Sequence, residues 1–146
     1  MHTVPTTYSS DILRRRARNF AEVVYQRELG VPGHVAVGDF LDAFYAAGSG
    51  RRQVFLDTEP PVSGAMTQAE VATLAAIAEQ LAGEYDLQVP EWTTLPRYFL
   101  SDNQAVCGPI SCQCLSPSSV ETLRRESPSA FARRNLLVSA NALTRV

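Results

Sequence analysis

The feature that most constrains the fold is a helical pattern in the middle of the chain. Thr67, followed three residues later by Glu70, forms a capping box in which each side chain can satisfy the other residue's backbone N–H. Apolar residues then recur at helical spacing as far as Tyr85: Val71, Leu74, Ala75, Ala78, Leu81 and Ala82. This spacing predicts a helix. Its alanines have small side chains, so one face of this helix is predicted to let another helix approach closely, either within the chain or across a dimer.

Weaker patterns on either side of this helix favour more helices. One helix is predicted from Asp11 to Leu29, with Ser10 as its cap and an apolar stripe of Leu13, Ala17, Phe20 and Val24. A second is predicted from Gly38 to Ala47, and the run from Val54 to Leu56 fits a short strand or a helix end. The predicted fold class is therefore mainly α, a single small helical domain with short irregular C-terminal elements.

The 146 residues, 45% of them hydrophobic, suit one core. We expect a flexible tail over residues 1–10 and one domain over 11–146, with a helical core (11–89) and a Trp/Cys loop plus Arg-rich segment (90–146). That segment is predicted to hold a helix from Ser116 to Glu126, helix again from Ser127 to Arg134, an apolar run from Leu136 to Val138 and a helical turn ending at Val146. Trp92, between two prolines, is either a plug over the core or an exposed binding anchor.

The composition excludes several enzyme classes. All 13 basic residues are arginine, so the lysine of a P-loop, a protein kinase or a pyridoxal-phosphate enzyme is missing. A catalytic triad or a Cys–His pair would depend on His34, which lies in a turn-forming sequence. No enzyme activity and no cofactor are therefore predicted. The chain has no apolar stretch long enough for a membrane helix and no signal-peptide pattern, so we expect a cytoplasmic protein.

The cysteines are clustered. Cys107, Cys112 and Cys114 lie within eight residues and, with His34, are weak candidates for a zinc site. Structural zinc sites usually have a second cysteine pair elsewhere, and this sequence lacks one. Reduced cysteines in a loop are therefore the expectation, and a redox-active pair is the other alternative.

Charge is segregated along the chain. Residues 1–27 and residues 115–146 each carry five arginines and two acids, whereas residues 28–96 carry two arginines and ten acids. The secondary basic patch consists of Arg14, Arg15, Arg16 and Arg18. It occupies the first turns of the predicted first helix, where the helix dipole disfavours cations. These arginines either meet an acidic partner protein, nucleic acid or the acidic middle of the chain itself, or they form a solvated run. The C-terminal arginines either grip a partner or pair within the chain, with Glu121, Glu126 and the acidic middle.

The C-terminal third resembles a group of small bacterial proteins. Its Ser-Pro-x-x-Phe-x-Arg-Arg segment begins at Ser127, an aliphatic triplet follows it, and a Pro-x-Trp begins upstream at Pro90. Genes for such proteins are found beside nucleotidyltransferase-like genes, in an arrangement that looks like an AbiEii/MenT-like toxin–antitoxin pair. The resemblance covers about Pro90 to Val146 and implies a cytoplasmic antitoxin that neutralises such a toxin by direct contact.

The predicted contact surface is the Arg-rich C-terminal segment, with Phe131 or Leu143 as the apolar anchor and arginines around it. Its residues are Arg124, Arg125, Phe131, Arg133, Arg134, Asn135, Asn141, Leu143 and Arg145. A small adaptor protein is one alternative. A DNA-binding repressor is another, although about nine residues link the first two predicted helices and a helix-turn-helix motif needs a turn of about three or four.

Overall fold

The computed structural model describes residues 16–101, 104–105, 125–138 and 143. They form a single small, mainly helical domain. Its α-helices are α1 (Phe20–Glu28), α2 (Gly33–Ala46), α3 (Arg52–Asp57), α4 (Gln68–Glu84) and α5 (Ser129–Ala132). Three 3-10 turns (Ser49–Arg51, Glu91–Thr94 and Pro96–Tyr98) and two strands, β1 (Gln104–Ala105) and β2 (Leu136–Leu137), complete the described elements. Within these ranges, no helix is long and apolar enough to cross a membrane.

Helix α4 is the centre of the fold. The predicted capping box is present: the Thr67 hydroxyl accepts from the Glu70 N–H at 3.1 Å, and the Thr67 N–H donates to the Glu70 carboxylate at 2.8 Å. All residues from Ala72 to Ala78 are buried, so the helix is covered on every side rather than along one stripe. Small side chains allow α3, α5, β2 and two 3-10 turns to pack around it. The alanine-rich surface is therefore covered within a single chain.

Helix α1 begins nine residues later than the sequence predicts. Asn19 caps it, since the side-chain oxygen of Asn19 accepts from the Glu22 N–H at 2.8 Å, and residues 16–18 are not helical. The prediction of one continuous helix from Asp11, capped by Ser10, is therefore wrong. Residues 11–15, including Arg14 and Arg15, lie outside the described residues. Arg16 and Arg18 precede the helix instead of belonging to it.

Helix α2 begins five residues earlier than predicted. Pro32 occupies its N-cap position, and His34 is an exposed residue of its first turn rather than of a loop. The connection from α1 therefore spans only residues 29–32. Gly30 adopts a φ of +95°, a left-handed conformation that glycine tolerates best, and the Val31 N–H returns to the Gln26 carbonyl at 3.0 Å. The expected linker of about nine residues is wrong.

Trp92 is a plug over an aromatic core. Its side chain is only 8% exposed, and its indole N–H donates to the Leu56 carbonyl at 3.0 Å. Its ring packs edge-on against Phe20 and Tyr98, at centroid distances of 5.6 and 5.2 Å. This confirms the plug and not the exposed anchor. The run from Val54 to Leu56 belongs to helix α3, which decides the choice between strand and helix.

The C-terminal segment folds back onto the helical core. Pro128 precedes α5, in agreement with the helix start predicted after Ser127. The apolar run that begins at Leu136 provides strand β2, which pairs in parallel with β1. Residues 125 and 126 are helical. The remainder of the helix predicted from Ser116, the terminal helical turn to Val146 and the N-terminal tail lie outside the described residues.

Candidate functional site

Arg134, predicted to contact a partner, is a structural residue. Its side chain is 1% exposed. Its guanidinium donates to the Glu79 carboxylate at 2.5 Å, and to the carbonyls of Ala130 and Thr93 at 2.8 Å each. The group also lies over the Phe99 ring, 4.6 Å from its centroid. Burial and the neighbouring Arg133 lower the pKa of Arg134 to about 10, so it stays charged at neutral pH. Arg134 therefore ties the C-terminal segment to helix α4.

The neighbours of Arg134 are also engaged within the chain. Arg133 forms an ion pair with Glu79 while its side chain stays 57% exposed. Asn135, at a φ of +61°, donates from its side-chain amide to the Leu100 carbonyl at 2.5 Å. Arg125 is exposed. One carboxylate of the acidic middle thus binds two arginines of the basic C-terminal part, which is one of the pairings that the charge pattern allowed.

The predicted apolar anchors are core residues. Phe131 is 1% exposed and Leu143 is 8% exposed. The Leu143 carbonyl accepts from the Tyr45 hydroxyl at 2.8 Å. A side chain buried in its own domain is not available to a partner, so the predicted anchor is wrong for the folded chain. Of the other predicted site residues, Arg124, Asn141 and Arg145, and the metal candidates Cys107, Cys112 and Cys114, lie outside the described residues.

A different group of arginines lines an open cleft of about 300 Å³, which we call the basic cleft. Arg16 and Arg18 approach it from the segment before α1, and Arg51 approaches it from the 3-10 turn before α3. Among the described residues, no carboxylate forms an ion pair with any of these three guanidinium groups. All three residues are exposed. The basic cleft is therefore a concentration of positive charge that the described part of the chain does not neutralise.

The floor of the basic cleft is apolar. It is formed by Ala43, Ala46 and Ala47 at the end of α2 and by Phe55 of α3. Small side chains on this stretch of α2 leave the space that the cleft occupies. The ring of Phe55 is held from behind by edge-on contacts with Phe40 and Phe44, at centroid distances of 5.8 and 5.9 Å. The lining of the cleft thus combines three arginines with four apolar residues.

Arg52, the residue after Arg51, bonds the start of α3 to the end of α2. Its guanidinium donates to the Phe44 and Tyr45 carbonyls at 3.1 and 2.9 Å. It therefore provides donors to two carbonyls of the last turn of α2, and the Phe44 carbonyl also accepts from the Ala47 N–H at 3.2 Å. It also lies over the Tyr85 ring, 4.6 Å from the centroid. Arg51 and Arg52 are consecutive but differ in role. Arg51 lines the cleft, whereas Arg52 holds α3 against the ends of α2 and α4.

This division predicts different effects of two neighbouring substitutions. We expect Arg52→Ala to lower the free energy of unfolding by about 1.5–3 kcal/mol, because two charge-assisted hydrogen bonds to helix-end carbonyls disappear. Arg51→Ala is expected to change it by about 0.5 kcal/mol or less, as for most exposed positions. Urea unfolding, followed by the fluorescence of Trp92, measures both. Equal losses in the two variants would contradict the separate roles.

A second cleft, of about 480 Å³, is acidic but less available for binding. Its lining includes Asp57, Glu59, Glu91 and Trp92. Asp57 accepts from the Gln53 amide at 2.9 Å. Glu59 accepts from the Tyr98 hydroxyl at 2.7 Å and forms an ion pair with Arg97. Two of its three carboxylates are thus already engaged, whereas the basic cleft has no such neutralisation within the described residues.

Sequence reasoning found two of the three arginines of the basic cleft. It identified Arg16 and Arg18 as members of a secondary basic patch but passed over Arg51, which with Arg52 provides the two arginines of the acidic stretch 28–96. No periodic pattern links Arg51 to residues more than 30 positions away, because only the folded structure brings the segment before α1 and the turn before α3 to one cleft. The arrangement can bind anionic groups, since each guanidinium offers a planar fork of N–H donors to carboxylate or phosphate oxygens.

A comparison of the chain with protein-family models, with curated proteins and with solved structures finds no match. The resemblance proposed for Pro90 to Val146 therefore depends on the residues quoted for it. The functional argument for the basic cleft depends on its own geometry and charge.

Proposed function

We propose that this protein is a non-enzymatic, cytoplasmic antitoxin-like module, which binds an acidic surface of a partner protein through the basic cleft. One observation carries the proposal. Arg16, Arg18 and Arg51 come from two separate segments and line one open cleft, and within the described residues their guanidinium groups form no ion pair. The contact is assigned to this cleft because the C-terminal residues Arg134 and Phe131 are buried.

The partner class follows from the resemblance of Pro90 to Val146 to proteins encoded beside nucleotidyltransferase-like toxins. A nucleotidyltransferase needs carboxylates to hold its metal, and such a site presents the negative charge that an arginine cleft attracts. In this proposal the C-terminal segment does not make the contact. It is docked through Arg134 on Glu79 and completes the domain that carries the cleft.

DNA binding is the alternative that the fold brings back into consideration. The four-residue connection over 29–32 has the length of a helix-turn-helix turn, so the length argument against it no longer holds. The second helix, however, carries no arginine or lysine. It carries Asp39 and Asp42, which oppose the approach of a helix to phosphates in the major groove. The chemistry of α2 therefore favours a protein partner.

Binding to the product of the adjacent gene tests the proposal. We expect the full-length protein to bind it, and the triple variant Arg16→Gln, Arg18→Gln, Arg51→Gln to bind about 100-fold more weakly, at about 1 kcal/mol for each lost charge contact. The matched control is Arg125→Gln, another exposed arginine, which is expected to keep wild-type affinity. Isothermal titration calorimetry at low and physiological salt measures both, after the thermal unfolding of each variant has been checked.

Three results would contradict the proposal. If the adjacent gene product does not bind, the antitoxin role is rejected. Equal affinities of the triple variant and the wild type would show that the basic cleft is not the contact surface. A duplex of the promoter DNA is included as a third arm: loss of DNA binding in the triple variant, with protein binding unchanged, would assign the cleft to phosphate recognition instead.

A further inference from the structure

We infer that Tyr45 is a positioning residue of the basic cleft. Its hydroxyl group bonds to the C-terminal segment at Leu143, and its backbone carbonyl bonds to Arg52, the neighbour of Arg51 in the cleft. Tyr45 acts through Arg51 and does not itself contact the bound group. The inference rests on the proposed function, because it concerns the affinity of the same cleft. It gives the C-terminal segment a part in binding that requires no contact between that segment and the partner.

The side chain of Tyr45 reaches the C-terminal segment. Its hydroxyl donates to the Leu143 carbonyl at 2.8 Å, across 98 positions of sequence. Leu143 is only 8% exposed and belongs, within the described part of the chain, to the hydrophobic cluster of the domain. Because packing holds this acceptor in place, the hydrogen bond ties the end of α2 to the C-terminal segment.

The backbone of Tyr45 contacts the start of α3. Its carbonyl accepts from the Arg52 guanidinium at 2.9 Å, and the Phe44 carbonyl accepts from the same group at 3.1 Å. The Cα atoms of Arg52 and Arg51 are joined through one peptide unit and lie about 3.8 Å apart. Ala46, the residue after Tyr45, lines the cleft itself. A shift of the last turn of α2 therefore moves Arg51 and part of the apolar lining together.

One aromatic cluster joins the two contacts of Tyr45. The Tyr45 ring packs against the rings of Phe44 and Tyr85, at centroid distances of 5.7 and 6.0 Å. The Arg52 guanidinium lies over the same Tyr85 ring, 4.6 Å from its centroid. The hydrogen bond to the C-terminal segment thus holds a ring within the cluster that also holds Arg52. Binding side chains keep a productive geometry when such surrounding groups lock their position.

Tyr45→Phe tests the inference, because it removes the hydroxyl group and keeps the ring. The matched control is Tyr85→Phe, since Tyr85 is also half-buried in the cluster and its hydroxyl makes no hydrogen bond within the described residues. The probe is inorganic pyrophosphate, titrated into the full-length protein at low salt and followed by NMR of the arginine N–H groups. We expect Tyr45→Phe to weaken its binding about threefold, part of the factor of about five that one net hydrogen bond represents. Tyr85→Phe is expected to leave the affinity unchanged.

A double-mutant cycle separates positioning from a general loss of stability. In an Arg51→Gln background, which keeps Arg16 and Arg18 for the anion, Tyr45→Phe is expected to cause no further loss of affinity. In an Arg125→Gln background it is expected to keep its full threefold effect. A merely structural hydroxyl group would lower the free energy of unfolding in both backgrounds and leave the affinity of the folded protein unchanged. Thermal unfolding confirms that each variant is folded at the temperature of the titration.

A shortened chain tests whether Tyr45 acts through Leu143. A chain that ends at residue 142 lacks the carbonyl acceptor, so its pyrophosphate affinity is expected to fall at least as far as that of Tyr45→Phe. Adding Tyr45→Phe to it is expected to change nothing further. A full additional threefold loss would overturn the link to the C-terminal segment, and the cycle with Arg51→Gln decides the inference if the shortened chain does not fold.

The outcomes distinguish this inference from the proposed function. Wild-type affinity for pyrophosphate in Tyr45→Phe, equal losses in the two Tyr→Phe variants, or full additivity with Arg51→Gln would overturn the inference alone. Pyrophosphate binding that is absent from the wild type, or that the triple arginine variant retains, would also overturn it. Failure of the adjacent gene product to bind, with the pyrophosphate results as expected, would reject the proposed function and keep the positioning role of Tyr45.

Discussion

Replacing Arg134 by alanine is expected to lower the free energy of unfolding by about 3–5 kcal/mol, the usual loss when one partner of a buried ion pair is removed. The substitution removes hydrogen bonds to Glu79, Ala130 and Thr93 together. The docking of α5 and β2 onto α4 weakens as a result. Urea unfolding of the full chain, followed by circular dichroism and by Trp92 fluorescence, measures the effect.

Arg133 provides the matched control, because it forms an ion pair with the same carboxylate from the surface. Its side chain is 57% exposed, compared with 1% for Arg134. Arg133→Ala is therefore expected to cost about 1 kcal/mol or less, as solvent screens the pair. Losses of similar size in the two variants would show that burial does not determine the contribution of Arg134.

Phe131→Ala is expected to destabilise the protein by about 3–5 kcal/mol, the usual range for a fully buried phenylalanine. The side chain belongs to the hydrophobic cluster that, in the described part of the chain, also contains Leu136 and Val138. Phe131→Leu keeps an apolar side chain and is expected to cost about 1 kcal/mol while leaving affinity for the partner unchanged. Thermal and urea unfolding, together with the calorimetric binding assay, measure both properties.

Ser129→Ala is the control for Phe131 within the same short helix, since Ser129 is exposed and caps nothing by its side chain. It is expected to change the unfolding free energy by about 0.5 kcal/mol or less. A Phe131→Leu variant that still folds but no longer binds the partner would restore the anchor role that the sequence suggested for Phe131.

The arginines show why sequence position alone did not separate structural from exposed charge. Arg27 donates to the Val31 carbonyl and to Glu70, at 3.0 and 3.2 Å, so it fastens α1 to the start of α4. Arg52 and Arg134 fasten other elements in the same way. These three are used inside the fold although the sequence presents them no differently from Arg51. The environment of each guanidinium depends on residues that are distant in the chain.

The sequence by itself determined those structural features that depend on residues close together in the chain. The Thr67–Glu70 capping box fixed the start of α4, because both partners lie within one helical turn. The helix start after Ser127 also followed from nearby residues, whereas the sequence left Trp92 either buried or exposed. The start of α1 was missed because Asn19, a good helix cap, lies inside an apparently continuous apolar stripe, and local capping overrode that stripe.

What only the tertiary structure decided was the role of each distant pair. The salt bridge from Arg134 to Glu79 joins residues 55 positions apart, and the basic cleft joins Arg16 and Arg18 to Arg51. Burial of a charge or an aromatic ring is set by what packs over it. That packing arises when α4 is surrounded on all sides, and no periodicity along the chain specifies which elements surround it.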